Sequence, residues 1–524
     1  MRRQWYLGFG VVLLGVLLTL IMLQDGQWFL VLLVPIVALW IYDLVQKKHA
    51  ILRNFPVLGH ARFILEFFRP EIQQYFIASD ESERPFNRET RSIIYQRAKN
   101  VRDTVPFGTE KDVNKIGYTW VLHSLAPKVA SEVEPRIHVG RHENGSQPYC
   151  ASRLNISAMS FGSLSPRAIM ALNKGAQLGH FAQNTGEGGL SPYHLQGGDI
   201  IFQIGTAYFG CRDDEGHFDE KEFQAEALKP QVKMIEIKLS QGAKPSHGGI
   251  LPAAKLTAEI AKVRKVPLGH NVISPPAHTA FDSPIGLLHF IKRLRHLSEQ
   301  KPVGFKLCIG RKKEFLSICK AMLQEQIYPD FITVDGAEGG TGAAPLEYTN
   351  HVGEPLEAAL VFVHNALVGV NLRDKIRIIA SGKVATGFDL AEKIALGADM
   401  CNAARAMMMS VGCVQSKQCD ANTCPTGVAT QNWRLQRGLV VEEKKWRAAN
   451  FHKNTMKSFL ELVGAMGLEN PSDLKPEYFM RRVSAQSVKS LAEVHEYLEA
   501  GALLQATLPA SFKPHWEDAR ADAF

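Results

Sequence analysis

Short apolar runs alternate with amphipathic helical patterns from about residue 155 to residue 409. Apolar residues spaced three and four apart predict helices that bury one face, and short β-branched runs predict buried strands. The predicted strands cover residues 154–160, 181–186, 233–239, 270–274, 303–309, 331–335, 377–381 and 400–404. Eight βα units in roughly 250 residues are typical of a closed (β/α)8 TIM barrel. A doubly wound open sheet is the main alternative, but the sequence lacks the G-x-G-x-x-G turn that usually follows an early strand of that fold.

Two long apolar segments precede this region, Trp5–Leu23 and Trp28–Tyr42, and a short polar turn separates them. Each approaches the roughly 20 residues that a membrane-spanning helix needs. Residues 1–48 are therefore predicted to form a transmembrane helical hairpin. Basic residues flank its outer ends and are missing from its turn, which predicts that the remaining chain lies on the cytoplasmic side. A cleaved signal peptide and an apolar hairpin buried in a soluble core are the alternatives.

The rest of the chain divides into three predicted regions. Residues 49–115 are polar and weakly periodic, which favours a segment that wraps around a larger domain. Residues 116–435 hold the predicted barrel. Residues 436–524 carry helical patterns that predict a C-terminal helical subregion packed against it.

The net charge of the chain is +8 at pH 7. Lysine and arginine beside a membrane anchor attract anionic lipid head groups, so this charge fits a membrane surface. The basic residues are dispersed, and no zinc-finger, helix-turn-helix or RNA-binding signature accompanies them. A nucleic-acid partner is therefore not expected.

Unusual sequences lie at the C-terminal ends of the predicted strands. They are SFGS (160–163), NTGEGG (184–189), SQGAKPSHGG (240–249), ISPPAH (273–278), DGAEGGTGAAP (335–345) and SGKVATG (381–387). Active sites of such barrels lie on these loops, and the loops after the last two strands commonly bind phosphate. Clustered glycines let backbone N–H groups approach a ligand closely. Arg405 would add a charge-assisted contact to a phosphate, although any single glycine motif could simply form a turn.

Two charged residues are candidate site residues because of their sequence context. Lys306 lies in the apolar run VGFKLCI, where a buried ammonium needs an anionic partner. A reduced flavin, which is anionic near N1 and O2, would supply that partner, and a neighbouring carboxylate is the alternative. Glu187 lies between glycines at the end of the second predicted strand, where it would bind a substrate amine or act as a base. Taken alone, Glu187 is equally typical of a turn.

Cys413, Cys419 and Cys424 form a C-x5-C-x4-C array followed by proline, so three of the eight cysteines fall within twelve residues. Structural disulfides are not expected in a reducing cytoplasm. The clustering therefore favours metal or redox chemistry. Iron–sulfur clusters bind cysteine thiolates, often with proline after the last one, and three ligands suit a cluster that lacks one iron. A zinc site completed by His452 or Asp420, and three inert thiols, are the alternatives.

Several of these motifs, in the same order and at similar spacing, resemble the FMN-binding synthase domain of glutamate synthase. The matching stretches are SAMSFGSLS, NTGEGG, QGAKPSHGGILP, ISPP, GGTGAAPL and the cysteine array with the GVATQ that follows it. The resemblance runs from about residue 155 to residue 468 and includes the shorter, membrane-anchored FMN-binding glutamate synthase family proteins. It implies a barrel that holds FMN beside a 3Fe–4S cluster bound by Cys413, Cys419 and Cys424. It also implies reduction of 2-iminoglutarate, formed from 2-oxoglutarate and ammonia, to glutamate.

Carried over position by position, the resemblance also assigns the remaining site residues. The flavin contacts would come from Ser160, Gln241 and Lys306. The phosphate contacts would come from Gly382, Gly387, Ala404 and Arg405. The catalytic residues would be Glu187, Lys244 and Lys306, of which the first two line the substrate side.

The sequence departs from the family pattern at several points. Glutamate synthases begin with a glutaminase domain, whereas this chain begins with the predicted anchor, so we expect it not to release ammonia from glutamine. Tyr208 in GTAYFG stands where the family has an arginine, a natural partner for a dicarboxylate. His247 in KPSHGG replaces a glutamate, and ARAMM replaces the family's GTAAL around Ala404 and Arg405.

Two functional hypotheses follow. In the first, the protein is a membrane-anchored FMN and iron–sulfur oxidoreductase that acts on a CH–NH2 group, forming or oxidising glutamate or a related amino acid. Its electron partner would be ferredoxin, another subunit or quinone, because the sequence carries no NAD-binding fingerprint. In the second, it is a membrane-tethered electron-transfer or scaffold subunit that holds FMN without amino-acid turnover of its own.

Overall fold

The structure is a computed structural model. It describes residues 27–102, 104–129, 135–140 and 146–524. The chain divides into two compact units, with the boundary between Arg88 and Glu89. Each unit is considered separately below.

The first unit is helical. Its helices are Gln27–Val45, Ala50–Asn54 and Gly59–Ile72, and the last continues as a π-helical turn over Gln73–Ile77. Asp43 is fully buried and accepts hydrogen bonds from the backbone N–H of Val57 (2.8 Å) and from Nε2 of His60 (3.0 Å). The carboxylate of Asp43 therefore ties the first helix of this unit to its third.

The two predicted membrane spans lie in this part of the chain. Trp5–Leu23 is outside the described residues, and Trp28–Tyr42 falls within the helix Gln27–Val45. Across the described ranges, no helix combines the length and the apolarity that crossing a bilayer requires. The predicted transmembrane hairpin of residues 1–48 thus has no support from the described residues.

The second unit is built around a closed barrel of parallel strands. The strands, numbered along the chain, are β1 (Thr119–Val121), β2 (Arg136–Val139), β3 (Tyr149–Ser152), β4 (Leu154–Ile156), β5 (Ala182–Asn184), β6 (Asp199–Ile204), β7 (Val232–Lys238), β8 (Ile250–Leu251), β9 (Val272–Ile273), β10 (Val303–Leu307), β11 (Phe331–Asp335), β12 (Arg377–Ser381), β13 (Met400–Ala403), β14 (Phe479–Arg482) and β15 (Val488–Ser490). The barrel follows the order β4-β5-β6-β7-β10-β11-β12-β13, and β13 pairs with β4 to close it. The predicted (β/α)8 fold class is confirmed.

Helices flank the barrel strands. From the unit boundary onwards they are Arg88–Lys99, Pro166–Gly179, Glu220–Ala227, Ala258–Arg264, Pro284–Leu297, Lys312–Glu325, Leu346–His351, Leu356–Gly369, Gly387–Ala395, Arg405–Ser410, Trp433–Gln436, Val441–Ala465, Leu491–Val494 and Lys513–Asp518. Several begin at a serine or threonine whose side chain accepts a backbone N–H of the first turn, as Ser165 does from Ala168 (3.1 Å). These caps fix where each barrel loop ends and its helix begins.

One predicted strand is wrong and one barrel strand was missed. Residues 270–274 do not join the barrel; β9 pairs antiparallel with β8 in the long segment between β7 and β10. Pro275 and Pro276 follow this run, and a proline has no N–H to continue a strand ladder. The missing barrel strand is β6, which the sequence analysis did not assign. The other predicted strands each overlap a barrel strand.

The two ends of the barrel differ in character. At the N-terminal ends of the strands, an apolar layer that includes Ala182, Phe331 and Met400 packs against the hairpin of β2 and β3. Deeper inside, Glu236 is fully buried and accepts hydrogen bonds from three side chains. The donors are Asn184 (2.7 Å), Gln203 (2.6 Å) and Thr333 (2.6 Å). The remaining, C-terminal end of the barrel is therefore the end available for a site.

The C-terminal region combines helices with a small sheet. The helix Val441–Ala465 packs closely on the barrel, because a Cβ at Gly387 would lie 2.6 Å from the backbone nitrogen of Phe459. Beyond it, β14 pairs with β1 and β15 in a three-stranded antiparallel sheet. Residues 487–504, whose pattern is helical, instead form β15, a short helix and a 3-10 turn. Pairing with β14 overrides the local helical pattern there.

Candidate active site

A pocket lies at the C-terminal end of the barrel, beside the end of β7. Glu187, Gln241 and Lys244, all predicted site residues, are among the residues that line it. Lys238 also lines it and was not predicted. Lys238 is the last residue of β7, VKMIEIK, which also carries Lys233 and Glu236, so no isolated charge in an apolar run marked it.

Glu187 and Lys238 form the central ion pair of this pocket. Nζ of Lys238 lies 2.6 Å from Oε1 of Glu187, and both side chains are largely buried. Burial alone would raise the pKa of Glu187, but the charges of Lys238, Lys244 and Arg264 outweigh it, so the pKa lies below its usual value. Glu187 is therefore an ionised carboxylate at neutral pH.

Lys244 is the second cation of the pocket. It is 5 % exposed, and Nζ donates a hydrogen bond to the backbone carbonyl of Ala343 at 3.1 Å. Burial, followed by repulsion from Lys238, lowers the pKa of Lys244 to about 8, although attraction to Glu187 opposes this shift. A pKa of about 8 places the titration of Lys244 close to physiological pH.

Ser160 lies on the adjoining turn after β4, beside Arg264. A guanidinium nitrogen of Arg264 donates to Oγ of Ser160 (3.3 Å) and to the backbone carbonyl of Phe161 (3.1 Å). The same guanidinium sits 5.1 Å from the ring centre of Phe209. Burial lowers the pKa of Arg264 to about 10, so it remains a cation at neutral pH. Arg264 thus adds a third positive charge near Glu187.

Lys306 lies on β10, opposite Lys238 in the strand register. Its Nζ is 3.3 Å from Oδ2 of Asp335, which also accepts the backbone N–H of Gly242 at 2.9 Å. A Cβ at Gly242 would lie 1.8 Å from the carbonyl oxygen of Gly336, so only glycine allows these two loops to meet. The structure thus contains the neighbouring carboxylate considered as the alternative for Lys306, and the flavin contact stays a prediction.

The predicted phosphate residues lie across the barrel mouth from this pocket. Gly382 follows β12, and Ala404 follows β13. In the closed barrel of eight strands, β13 lies opposite β7, four strands away in either direction. Arg405 donates a hydrogen bond to the carbonyl of Glu338 at 2.8 Å. The position of Gly387 is explained by its close contact with the helix Val441–Ala465 described above.

Buried polar atoms at the mouth include one without a partner. Asn402 is 2 % exposed on β13, and among the described residues its Oδ1 has no hydrogen-bond partner. An unpaired buried acceptor is costly, so such an atom is a candidate contact for a bound group. Asn402 was not predicted, although a polar residue inside the apolar run of β13 was a usable signal.

Tyr208 is buried and fixes the loop that follows β9. Its hydroxyl accepts the backbone N–H groups of Thr279 and Ala280, each at 3.0 Å. Nε2 of His278 donates to the carbonyl of Lys238 at 2.9 Å, so Nδ1 is the acceptor of the Tyr208 hydroxyl at 3.1 Å. This neutral tautomer agrees with burial, which lowers the pKa of His278 to about 4. All hydrogen-bonding capacity of Tyr208 is used within the protein.

The cysteine loop lies beside the turn after β4. Cys424 is buried, Cys413 and Cys419 are partly buried, and all three are free thiols. Burial is the main cause that raises the pKa of Cys413 to about 12, and the nearby Cys419 and Cys424 contribute in the same direction. Within the described part of the chain, no three His, Cys, Asp or Glu side chains are grouped so as to hold a metal ion. The three thiols share one loop, and their ligand role stays a prediction.

Comparison with known proteins identifies similar chains. Residues 99–469 match the family model described as the conserved region in glutamate synthase. The "glutamate synthase large subunit-like protein YerD" of Bacillus subtilis is 37% identical over 513 residues, which cover 89% of this chain and 97% of that protein. The "archaeal glutamate synthase [NADPH]" of Methanocaldococcus jannaschii is 34% identical over 322 residues, covering 61% of this chain and 60% of that protein. Among solved structures, mandelate oxidase with (S)-2-phenylpropionate aligns at 12% identity and a TM-score of 0.41, covering 76% of this chain and 98% of that one.

Proposed function

The chain belongs to the glutamate synthase family, and we propose that it is a flavin-dependent oxidoreductase acting on the C–N bond of an amino acid or of the corresponding imine. The reaction proposed is 2-oxoglutarate plus ammonia to glutamate, or the equivalent reaction of a related amino acid. The observation that carries this proposal is the pocket in which one carboxylate, Glu187, lies beside the cations Lys238 and Lys244, with the charge of Arg264 nearby. Such a pocket favours a ligand that presents a carboxylate and an amine or imine together.

Three pocket residues have separate roles in substrate binding: Lys244, Glu187 and Lys238. Protonated Lys244 pairs with a substrate carboxylate, because its ammonium lies at the pocket wall near the ion pair of Glu187 and Lys238. Ionised Glu187 accepts a hydrogen bond from the substrate amine and holds the proton that joins or leaves nitrogen. Lys238 fixes the position of the Glu187 carboxylate through their 2.6 Å contact.

The residues around the mouth fit FMN, which when bound would supply hydride transfer. Ser160, Gln241 and Lys306 would contact its ring system, and Gly382, Gly387, Ala404 and Arg405 its phosphate. Support comes from their placement around one barrel mouth, on β10 and on the loops after β4, β7, β12 and β13, and from the unpaired Oδ1 of Asn402.

The donor set of the cysteine loop fits an iron–sulfur cluster, because three free thiols within one loop supply the ligands that such clusters use. Cys413, Cys419 and Cys424 would hold a 3Fe–4S cluster, which would exchange single electrons with an external carrier. Ferredoxin, another subunit or quinone is proposed as that carrier. The loop itself contributes the thiolates and their position beside the turn that carries Ser160.

Tyr208 bears on which substrate is used. The hydroxyl of Tyr208 uses its donor and both acceptor positions in hydrogen bonds with His278, Thr279 and Ala280. It therefore has no hydrogen bond left for a ligand. A second substrate carboxylate must therefore find its partner among the lysines of the pocket. This favours including amino acids related to glutamate in any substrate screen.

The test uses full-length protein purified anaerobically. Absorption spectra and EPR of oxidised and reduced samples should report bound flavin and an oxidised-state iron signal. Reduced protein should be reoxidised by 2-oxoglutarate plus ammonia, or oxidised protein bleached by glutamate or a related amino acid. Flavin that exchanges electrons only with a partner protein would instead indicate an electron-transfer or scaffold subunit. Colourless, iron-free protein would refute both.

A further inference from the structure

Lys255 is a buried cation that the proposed reaction does not use. It ends a 3-10 turn, Ala253–Lys255, and its side chain is 2 % exposed. Its Nζ donates to the backbone carbonyls of Ser163 (2.7 Å), Cys419 (3.0 Å) and Ala429 (3.2 Å). One acceptor lies in the turn after β4, and the other two lie in the cysteine loop and the segment just beyond it.

The number of acceptors matches the number of donors. A lysine ammonium has three N–H donors and no acceptor, so three carbonyls satisfy its protonated form completely. All three acceptors are neutral. Backbone carbonyl dipoles therefore stabilise the ammonium of Lys255. Among the described residues, no carboxylate forms an ion pair with it.

Further hydrogen bonds join the same two loops. The amide nitrogen of Gln431 donates to the carbonyls of Gly162 (3.1 Å) and Leu164 (2.9 Å). The backbone N–H of Ser165 donates to the carbonyl of Val428 at 2.9 Å. The turn after β4, which carries Ser160, and the cysteine loop are thus fastened together, with Lys255 at the junction.

We propose that Lys255 is a positioning residue that fixes the cysteine loop against the turn after β4, and that its charge favours the reduced state of a centre held by the loop's thiolates. Reduction adds negative charge to such a centre, and a fixed cation nearby stabilises that charge. The positioning role rests on the hydrogen bonds alone. The electrostatic role rests on the proposed function.

Hydrogen exchange of the purified full chain tests the positioning role. Lys255→Met keeps the length of the side chain but leaves three buried carbonyls unsatisfied. Amides of residues 413–431 and 160–165 should exchange about tenfold faster in this variant, a change of about 1.4 kcal/mol in local opening. Lys262→Met, on the exposed side of the helix Ala258–Arg264, is the matched control and should exchange like the unmodified protein.

Two further variants keep this test decisive. Lys255→Arg retains charge and donors and should restore much of the protection. Lys255→Gln, which is neutral but polar, replaces the methionine variant if that one fails to fold, with the same expected acceleration. Unchanged exchange in a folded, neutral variant would overturn the positioning role.

A redox titration of the EPR signal tests the electrostatic role. The midpoint potential should shift to more negative values in the neutral Lys255 variant and remain close to the unmodified value in Lys255→Arg and Lys262→Met. An unmoved potential in a neutral variant that retains iron would overturn this role. If the unmodified protein holds no iron, the proposed cluster fails, while the exchange experiment still decides the positioning role.

Discussion

Lys238 in the pocket and Lys255 at the cysteine loop are both buried lysines at the C-terminal end of the barrel, but their surroundings differ. Lys238 contacts a carboxylate, that of Glu187, at 2.6 Å. Lys255 contacts only backbone carbonyls. The charge of Lys238 is neutralised by a carboxylate that also lines the pocket. The charge of Lys255 has no carboxylate in direct contact anywhere in the part of the chain that the structure describes, so its field acts on the surrounding groups. The ion pair at Lys238 can rearrange when a charged ligand enters the pocket, whereas the hydrogen bonds of Lys255 hold a loop in place.

The energetic consequences of these two environments also differ. Removing one partner of a buried ion pair leaves an uncompensated charge, which typically costs about 3–5 kcal/mol. Removing a lysine that binds carbonyls leaves neutral acceptors unsatisfied, at a cost of about 1–3 kcal/mol for each buried group. Variants at the pocket should therefore act through an unpaired buried charge. Variants at the loop should act through unsatisfied carbonyls and, at the proposed centre, through the loss of a nearby cation.

The largest effect is expected from Cys419→Ser, which changes the thiol and leaves the backbone carbonyl that Lys255 binds. We expect loss of bound iron, loss of the oxidised-state EPR signal and loss of turnover driven by an external electron carrier. Iron analysis and EPR measure this directly. Cys150→Ser, at a partly buried cysteine of β3, is the control and should retain iron. An EPR signal that persists in Cys419→Ser would contradict the ligand assignment.

The barrel could be predicted because its strands are short, apolar and buried on both faces. The prediction failed where local pattern and tertiary pairing disagree. The run at 270–274 has strand-like residues, yet only Val272 and Ile273 form a strand, and they pair with β8 outside the barrel. The missed strand β6, DIIFQI, is mostly apolar but contains the polar Gln203. The side chain of Gln203 donates a hydrogen bond to Glu236 inside the barrel.

The site could be predicted in part. Glu187, Gln241 and Lys244 were expected and do line one pocket. Lys238 and Lys255 were not, for different reasons. The charge of Lys238 did not stand out in a strand that also carries Lys233 and Glu236, although its place at the strand end was visible in the sequence. The role of Lys255 was not, because its partners lie 92, 164 and 174 residues away along the chain.

A large catalytic effect is expected from Glu187→Gln, which keeps the shape of the side chain and removes its charge. Loss of a general acid or base typically lowers the rate by about 10²–10⁴-fold, and we expect kcat to fall within that range. Flavin and iron content should not change, because the cysteine loop does not contact Glu187. Glu347→Gln, at an exposed position of the helix Leu346–His351, is the control. Retention of full activity in Glu187→Gln would exclude a catalytic role for this carboxylate.

A change in stability is expected from Lys238→Met, which leaves the buried Glu187 carboxylate without its 2.6 Å partner. Chemical denaturation should show a loss of about 3 kcal/mol in the apparent free energy of unfolding. The double variant Lys238→Met, Glu187→Gln should recover a large part of this loss, because it removes the unpaired charge. Equal destabilisation in the single and double variants would mean that the pair contributes through packing and not through charge.

The smallest effect is expected from pH, and it concerns Lys244. Burial and Lys238 lower its pKa to about 8, so above that pH the ammonium loses its proton and its attraction for a substrate carboxylate. KM for the substrate should therefore rise as pH increases through about 8, by roughly tenfold for each further pH unit, while kcat changes less. Lys244→Arg should keep KM flat over the same range, because a guanidinium stays charged. A KM for the unmodified enzyme that does not change between pH 7 and pH 9.5 would assign the substrate carboxylate to a cation other than Lys244, leaving Lys238 or Arg264 as its partner.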